Sequence, residues 1–119
     1  MYTCISCKDN GCNVISTSTF KTTLDLSTSL QLERGSHNWS YADGGACGLI
    51  VYNNGDNLVA YDRCSNTSKS KVKVEGFLAI DDQSGAKWLL LDGSPAAVAE
   101  CPLQRYTVKK VGQQFVIEN

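Results

Sequence analysis

Three cysteines near the start of the chain form its sharpest chemical pattern. The spacing Cys4-x2-Cys7-x4-Cys12 brings thiolates close together, and such thiolates can converge on zinc or on an iron–sulfur cluster. Three ligands are one short of the set that either centre usually takes. The other soft ligands in the chain are Cys47, Cys64, Cys101 and His37. We expect disulfides or free thiols in this segment, with zinc as the alternative and an iron–sulfur cluster as the least favoured reading.

The cysteines are six in number, and an even count in a chain of 119 residues suggests a disulfide framework formed in an oxidising compartment. All of them are candidates for disulfides or thiols: Cys4, Cys7, Cys12, Cys47, Cys64 and Cys101. Spacing alone does not select the pairing.

Residues suited to catalysis are sparse. His37 is the only histidine, and its place beside Asn38 in a Gly-Ser turn predicts a solvent-facing loop. Asp81 and Asp82 could coordinate a hard cation with help from Asp92, but neighbouring carboxylates point to opposite sides of an extended chain, which disfavours an acid/base pair. We expect a solvated turn there. Nucleophile-elbow and phosphate-loop patterns do not occur, so the chain is predicted not to be an enzyme.

Length and charge narrow the class further. The chain is long enough for one domain with an ordinary core. Its 11 basic and 12 acidic residues leave a net charge of -1, which disfavours a nucleic-acid partner. Lys69, Lys71 and Lys73 form the one basic cluster, and their alternate spacing predicts a solvated face of an extended segment. No apolar run is long enough for a transmembrane helix.

Alternating patterns predict short strands and no helix. From Thr22 onward, leucines at alternate positions indicate a half-buried strand, and Trp39 and Tyr41 suggest a second. The run 48–62 carries β-branched and aromatic residues on both sides of an Asn-Gly turn, the strongest hairpin signal in the chain. The fold is predicted to be all-β and antiparallel.

The later strands follow from similar signals. Residues 72–80 suggest one strand with a bulge at Gly76, and the segment from Trp88 to Leu91 is expected to pair with it. A last hairpin is predicted from Tyr106 to Ile117 about Gly112, where the turn can use a positive φ.

Two loops in this frame resemble a known site. Cys64-Ser65-Asn66 and Asp81-Asp82-Gln83-Ser84-Gly85 stand where Rieske iron–sulfur proteins have Cys-x-His and Cys-x-x-His-Gly, and fourteen residues separate the two loops, close to the family's spacing. The strands and turns around them also resemble that family over roughly 20–119. These segments are 48–52, 53–57, 58–63, 88–95, 102–108 and 115–119.

The resemblance implies a Rieske-like fold of antiparallel sheets. It implies a single domain at 20–119, with an inserted two-loop subdomain at about 63–97. The polar composition of residues 1–19, which include three cysteines, indicates an N-terminal arm outside this domain. The resemblance also implies that the cluster site is degenerate, because a Rieske cluster needs two thiolates and two imidazoles. The four vestigial positions are Cys64, Asn66, Asp81 and Ser84. The cover loop at 97–99 lacks its proline as well, so no cofactor is expected.

The function implied is a non-enzymatic, cluster-free module that binds an unknown protein or small-molecule partner or has a structural role. The resemblance extends to lipoprotein-like members from the cell envelope of Bacteroides-type bacteria, and Cys4 or Cys7 before a polar spacer has that character. A periplasmic or outer-membrane-associated protein with a lipid anchor is therefore expected. The alternatives are a Rieske ferredoxin-like electron carrier with unusual ligands and a small zinc protein that uses the N-terminal cysteines.

Overall fold

The computed structural model describes residues 19–25, 39–53, 58–66, 68 and 70–119. The predictions made for Cys4, Cys7, Cys12 and His37 lie outside these residues. Ten strands and no helix are present in the described ranges, and none of their segments is a helix that could cross a membrane. The strands are β1 (Lys21–Asp25), β2 (Trp39–Ala42), β3 (Leu49–Asn53), β4 (Leu58–Asp62), β5 (Lys73–Glu75), β6 (Leu78–Ile80), β7 (Lys87–Leu89), β8 (Pro95–Ala97), β9 (Arg105–Val111) and β10 (Gln114–Glu118).

Two antiparallel sheets make up the described fold, which confirms the predicted all-β class. The larger sheet has the order β1-β10-β9-β4-β3-β2, and the smaller one has the order β5-β6-β7-β8. The smaller sheet is inserted between β4 and β9, which are themselves neighbours in the larger sheet. The chain therefore leaves the large sheet at the end of β4 and returns to it at the start of β9.

The predicted hairpin β3–β4 lies at the centre of the molecule. Its strands pair from Leu49 opposite Asp62 to Asn53 opposite Leu58, and every residue of β4 is buried. Because side chains alternate across a strand, the hairpin contributes to two cores. Ile50, Val59 and Tyr61 pack with side chains of the small sheet, whereas the other face packs within the large sheet. That second core contains Leu49, Val51, Leu58, Ala60, Tyr106 and Ile117.

The small sheet corrects one prediction from the sequence. Residues 72–80 do not form one bulged strand, because Gly76 is the turn between two three-residue strands, β5 and β6. Gly76 has a φ of 61°, which glycine adopts without a steric cost. The predicted pairing of Trp88 with the preceding strand is confirmed, since it lies opposite Ala79. The last hairpin also turns at Gly112, as predicted.

Two buried hydrogen bonds fix the small sheet in place. The Tyr61 hydroxyl donates to the Leu90 carbonyl at 2.8 Å, which ties β4 to the end of β7. The Trp88 indole N–H donates to the Cys101 carbonyl at 2.7 Å. This bond ties β7 to the segment between β8 and β9, which we call the return segment. Burial raises the pKa of Tyr61 to about 12, so its hydroxyl stays a donor at neutral pH. The loops at the two ends of this sheet are thereby held in fixed positions.

Candidate functional site

The first loop leaves β4 at Arg63 and is closed by that residue. The Arg63 amide donates to the Gly48 carbonyl at 2.9 Å, and the Val72 amide donates back to the Arg63 carbonyl at 2.7 Å. The Arg63 guanidinium donates two further hydrogen bonds to the Val72 carbonyl, at 3.0 and 2.8 Å, and lies 3.6 Å from the centre of the Tyr41 ring. Arg63 therefore joins the entrance and the exit of the loop and stacks on β2.

A buried carboxylate organises the base of this loop. Asp62 is fully buried, and its two oxygens accept hydrogen bonds from four donors. The backbone amides of Ala46, Cys47 and Cys64 donate at 2.6, 3.2 and 2.8 Å, and the Tyr106 hydroxyl donates at 2.6 Å. A carboxylate offers about four lone-pair sites, so this one is fully used. The Asp62 carboxylate therefore holds the β2–β3 loop and the first loop together.

Cys64 forms a disulfide beside this carboxylate. Its partner is Cys47 of the β2–β3 loop, with the two Cα atoms 5.1 Å apart. This bond confirms the expectation of a disulfide, and Cys101 is disulfide-bonded as well. Burial, the hydrogen bond to Asp62 and its negative charge together raise the pKa of Tyr106, so its hydroxyl remains protonated next to the disulfide.

The second loop turns around its own aspartate. Asp81 follows β6, and its amide donates to the Ala86 carbonyl at 2.8 Å while its carbonyl accepts from the Gly85 amide at 2.8 Å. Its side chain accepts from the Gln83 amide at 2.9 Å, the pattern of an Asx turn. These hydrogen bonds lie within the second loop and hold it in a tight turn independently of its contacts with the first loop.

The Asp81 carboxylate also joins the two loops. Its Oδ2 accepts hydrogen bonds from the Ser68 hydroxyl at 2.6 Å and from the Ser84 hydroxyl at 2.7 Å, one from each loop, and Ser65 contributes a further hydrogen bond. The prediction of a solvated turn is therefore wrong for Asp81, which is fully buried. It holds for Asp82, which is exposed and pairs with Lys73 at 3.0 Å.

These contacts set the ionisation of Asp81. Burial alone would raise its pKa, but the hydrogen bonds from Ser68, Ser65 and Ser84 and from the Gln83 amide outweigh burial and lower the pKa to about 2. The carboxylate is therefore ionised in the folded protein at neutral pH.

We expect Asp81 to make stability depend on acid pH. Its folded pKa lies below the value in the unfolded chain, so its contribution is complete above about pH 4 and is lost as the pH falls toward about 2. The difference corresponds to about 2 kcal/mol. Urea unfolding at pH 7, 4 and 2.5 should show that Asp81→Asn lowers the free energy of unfolding by this amount at pH 7 and by much less at pH 2.5.

The exposed Asp82→Asn is the matched control for this experiment and should leave the free energy of unfolding nearly unchanged at every pH. A destabilisation by Asp81→Asn that is equally large at pH 2.5 and pH 7 would contradict the assignment.

Asn66, the remaining position to which the resemblance points, also makes a hydrogen bond. The Asn66 amide donates to the Pro102 carbonyl at 2.6 Å, which ties the first loop to the return segment. The four positions thus hold a disulfide-bonded Cys64, an amide, a carboxylate saturated with hydrogen bonds and a hydroxyl that donates to it. A [2Fe–2S] cluster of the Rieske type requires two thiolates and two imidazoles. The residues present do not fit that cluster.

The cover loop at 97–99 carries backbone strain. Val98 has a φ of 64°, a region that a β-branched residue rarely adopts, and it is 65% exposed. We expect Val98→Gly to raise the free energy of unfolding by about 1 kcal/mol, because glycine removes the cost of the left-handed conformation. Urea denaturation measures the change. Val98→Ala keeps the Cβ and should gain much less, and an equal gain from both variants would contradict the strain argument.

Comparison with solved structures identifies the fold of this chain. The chain is similar to the ferredoxin in a structure described as a complex of reduced oxygenase and oxidized ferredoxin in carbazole 1,9a-dioxygenase. The TM-score is 0.51 with 19% sequence identity, over 67% of this chain and 79% of that chain. The fold is Rieske-like. At this identity the similarity shows the fold alone. No protein-family profile and no curated protein matches the sequence.

The sequence does not reveal two parts of this candidate site. Asp62 was not singled out, although an acidic residue that ends an otherwise apolar strand is a signal of a buried, hydrogen-bonded carboxylate. The pairing of Cys47 with Cys64 had no sequence signal, because spacing does not fix disulfide connectivity. Both residues become recognisable only when the β2–β3 loop is placed beside the end of β4.

Proposed function

We propose that this chain is a Rieske-like domain that works without a [2Fe–2S] cluster, as a non-enzymatic binding or structural module. The observation that supports it most strongly is the Asp81 carboxylate, which occupies a ligand position and instead accepts hydrogen bonds from Ser68 and Ser84. In a Rieske site, the metal cluster joins the two loops. Here hydrogen bonds to one buried anion make that connection.

The chemistry of the donors supports the same proposal. Cys64 is bonded to Cys47, so its sulfur is not a thiolate. The Asn66 and Ser84 side chains donate hydrogen bonds to protein oxygens, and neither an amide nor a hydroxyl replaces an imidazole on iron. Each position is therefore committed to a contact that holds the loops in shape, which suits a rigid scaffold.

A protein partner is the most reasonable class of ligand for such a module. Several large apolar side chains on or near the small sheet are exposed, among them Phe77 at 77% and Leu91 at 57%. Exposed apolar side chains of this size are candidates for contact with a protein partner. The similar ferredoxin was solved in complex with an oxygenase, which is another protein. For this chain we propose a protein partner of unspecified identity.

The proposed location is the cell envelope, in the periplasm or at the outer membrane, with a lipid anchor. The Cys47–Cys64 disulfide supports an oxidising compartment. Fractionation of cells that express the protein from its native gene tests this directly. Recovery with the envelope fraction is expected, and recovery with the cytosolic fraction, with reduced cysteines, would overturn the location.

Chemical reconstitution tests the absence of a cluster. The wild type and a variant with restored ligands (Asn66→His, Asp81→Cys and Ser84→His, with Cys47→Ala to release Cys64) are reduced and supplied with ferrous iron and sulfide without oxygen. We expect the restored variant to take up about two irons per chain with visible absorption, and the wild type to take up none at the loops.

Two controls keep the result interpretable. Cys47→Ala alone releases the Cys64 thiol without adding the other ligands, and it should remain colourless. Cys4→Ser/Cys7→Ser/Cys12→Ser removes the N-terminal thiols and leaves the two loops unchanged. A cluster that persists in this triple variant with all loop residues native would overturn the proposal in favour of an electron carrier with unusual ligands.

A further inference from the structure

One group of potential metal ligands comes together among the described residues. The sulfurs of Cys47 and Cys64 and a carboxylate oxygen of Asp62 all lie within 4.8 Å of one another. These residues come from the β2–β3 loop, the end of β4 and the first loop. The group differs from the vestigial cluster set, because it includes Cys47 and Asp62 and draws nothing from the second loop.

We propose that reduction of the Cys47–Cys64 disulfide turns this group into a binding site for a thiophilic divalent cation such as Zn²⁺. A dithiol reductant donates two electrons and two protons to the sulfur–sulfur bond and itself becomes a disulfide, which leaves two thiols on this chain. Binding of Zn²⁺ by both sulfurs then releases two protons. The disulfide and metal-bound forms exclude each other, so the redox state of the pair controls the site.

The geometry requires small movements only. In tetrahedral zinc sites with sulfur and carboxylate ligands, the ligand atoms lie roughly 3.6 to 3.8 Å from one another. A carboxylate oxygen of Asp62 lies no more than 4.8 Å from either sulfur. It therefore needs to move by no more than about 1 Å to reach the separation found in such zinc sites. After reduction the two sulfurs move apart by side-chain rotation, and the backbone can stay where the disulfide holds it.

The hydrogen bonds of Asp62 orient the carboxylate toward the two cysteines. The backbone amides of Cys47 and Cys64 both donate to Oδ1, at 3.2 and 2.8 Å, so the carboxylate is held against the two residues whose sulfurs would bind the metal. The contact with Cys47 is the longest of the four that Asp62 accepts, and it is the one that a cation would replace. Carboxylates that ligate zinc are commonly hydrogen-bonded in this way.

Access to the site is provided by Cys47. It is half-buried in the β2–β3 loop next to the exposed Ala46, whereas Cys64 is 8% exposed. A reductant and a hydrated cation can therefore approach from the side of Cys47. Three protein ligands leave the fourth position of a tetrahedral zinc ion to water.

Cysteine protection in the full chain tests the site. The wild type is reduced with a phosphine without oxygen and treated with a short pulse of iodoacetamide with or without Zn²⁺, and each cysteine is quantified by peptide mass spectrometry. We expect Zn²⁺ to slow alkylation of Cys47 and Cys64 together by about tenfold or more. Near-ultraviolet circular dichroism should show that the reduced chain remains folded. Protection confined to Cys4, Cys7 and Cys12, protection of no cysteine, or an unfolded reduced chain would each overturn the proposal.

The variant Asp62→Asn tests the carboxylate itself. It keeps the size of the side chain and removes its charge, and it should weaken Zn²⁺ protection of both sulfurs at least about tenfold. Asp82→Asn, which changes an exposed carboxylate that pairs with Lys73, is the control and should leave the protection unchanged. Equal protection in Asp62→Asn and the wild type would remove Asp62 from the site. The test is independent of the cluster, because no iron or sulfide is supplied.

Discussion

Replacing Asp62 with alanine is expected to lower the free energy of unfolding by about 4 kcal/mol or more. The substitution leaves four donors without an acceptor: the amides of Ala46, Cys47 and Cys64 and the Tyr106 hydroxyl. A buried donor that loses its partner costs about 1 to 3 kcal/mol. Urea unfolding followed by tryptophan fluorescence measures the change.

Tyr106→Phe is the control for this prediction. It removes one of the four donors to Asp62 and leaves the carboxylate with the other three, so it should cost only about 1 to 2 kcal/mol. If Asp62→Ala were no more destabilising than Tyr106→Phe, the carboxylate would not organise the two loops as described.

The second large effect is expected from loss of the disulfide. Cys47→Ala/Cys64→Ala should lower the free energy of unfolding by about 3 kcal/mol, because the bond closes a loop with a sequence separation of 17 and restricts the unfolded chain. Thermal and urea unfolding of oxidised wild type and variant give the difference.

The site of this effect can be checked with the same variant. A reductant should lower the free energy of unfolding of the wild type more than that of the variant, because only the wild type contains the Cys47–Cys64 disulfide. Hydrogen exchange at the backbone amides of positions 46 and 64 should rise in the reduced wild type and in the variant alike. A loss of stability below about 1 kcal/mol would contradict a structural role for the bond.

The parts of the fold that the sequence predicts well are those with local signals. The β3–β4 hairpin has apolar runs on both sides of an Asn-Gly turn, and the last hairpin has Gly112 at its turn. Both form where predicted. The small sheet was harder, because three-residue strands are too short to show an alternating pattern. Gly76 therefore fits a bulge or a turn equally well until its φ of 61° is known.

The sequence places Cys64 and Asp81 in loops, but it does not predict the contacts that these residues make. The resemblance located Cys64 and Asp81 in the two loops, and their departure from the cluster ligands is visible in the residue types. The burial of Asp81 was not predictable, because its partner Ser68 lies 13 residues away on the other loop. Neither a polar loop sequence nor two adjacent aspartates distinguishes a solvated turn from a carboxylate that bridges two loops.

Two buried carboxylates hold the loops of this Rieske-like fold together. Asp62 joins the β2–β3 loop to the first loop, and Asp81 joins the first loop to the second. Each supplies several charge-assisted hydrogen bonds, which are stronger than those between neutral groups. Together the two carboxylates link the β2–β3 loop, the first loop and the second loop through side chains of the chain itself.

Whether the protein lacks a cluster is tested most directly by its metal and sulfide content. These are measured on wild-type protein purified without oxygen. We expect a colourless protein without stoichiometric iron or acid-labile sulfide. Brown protein with about two irons and two sulfides per chain, retained when Cys4, Cys7 and Cys12 are changed to serine, would contradict it.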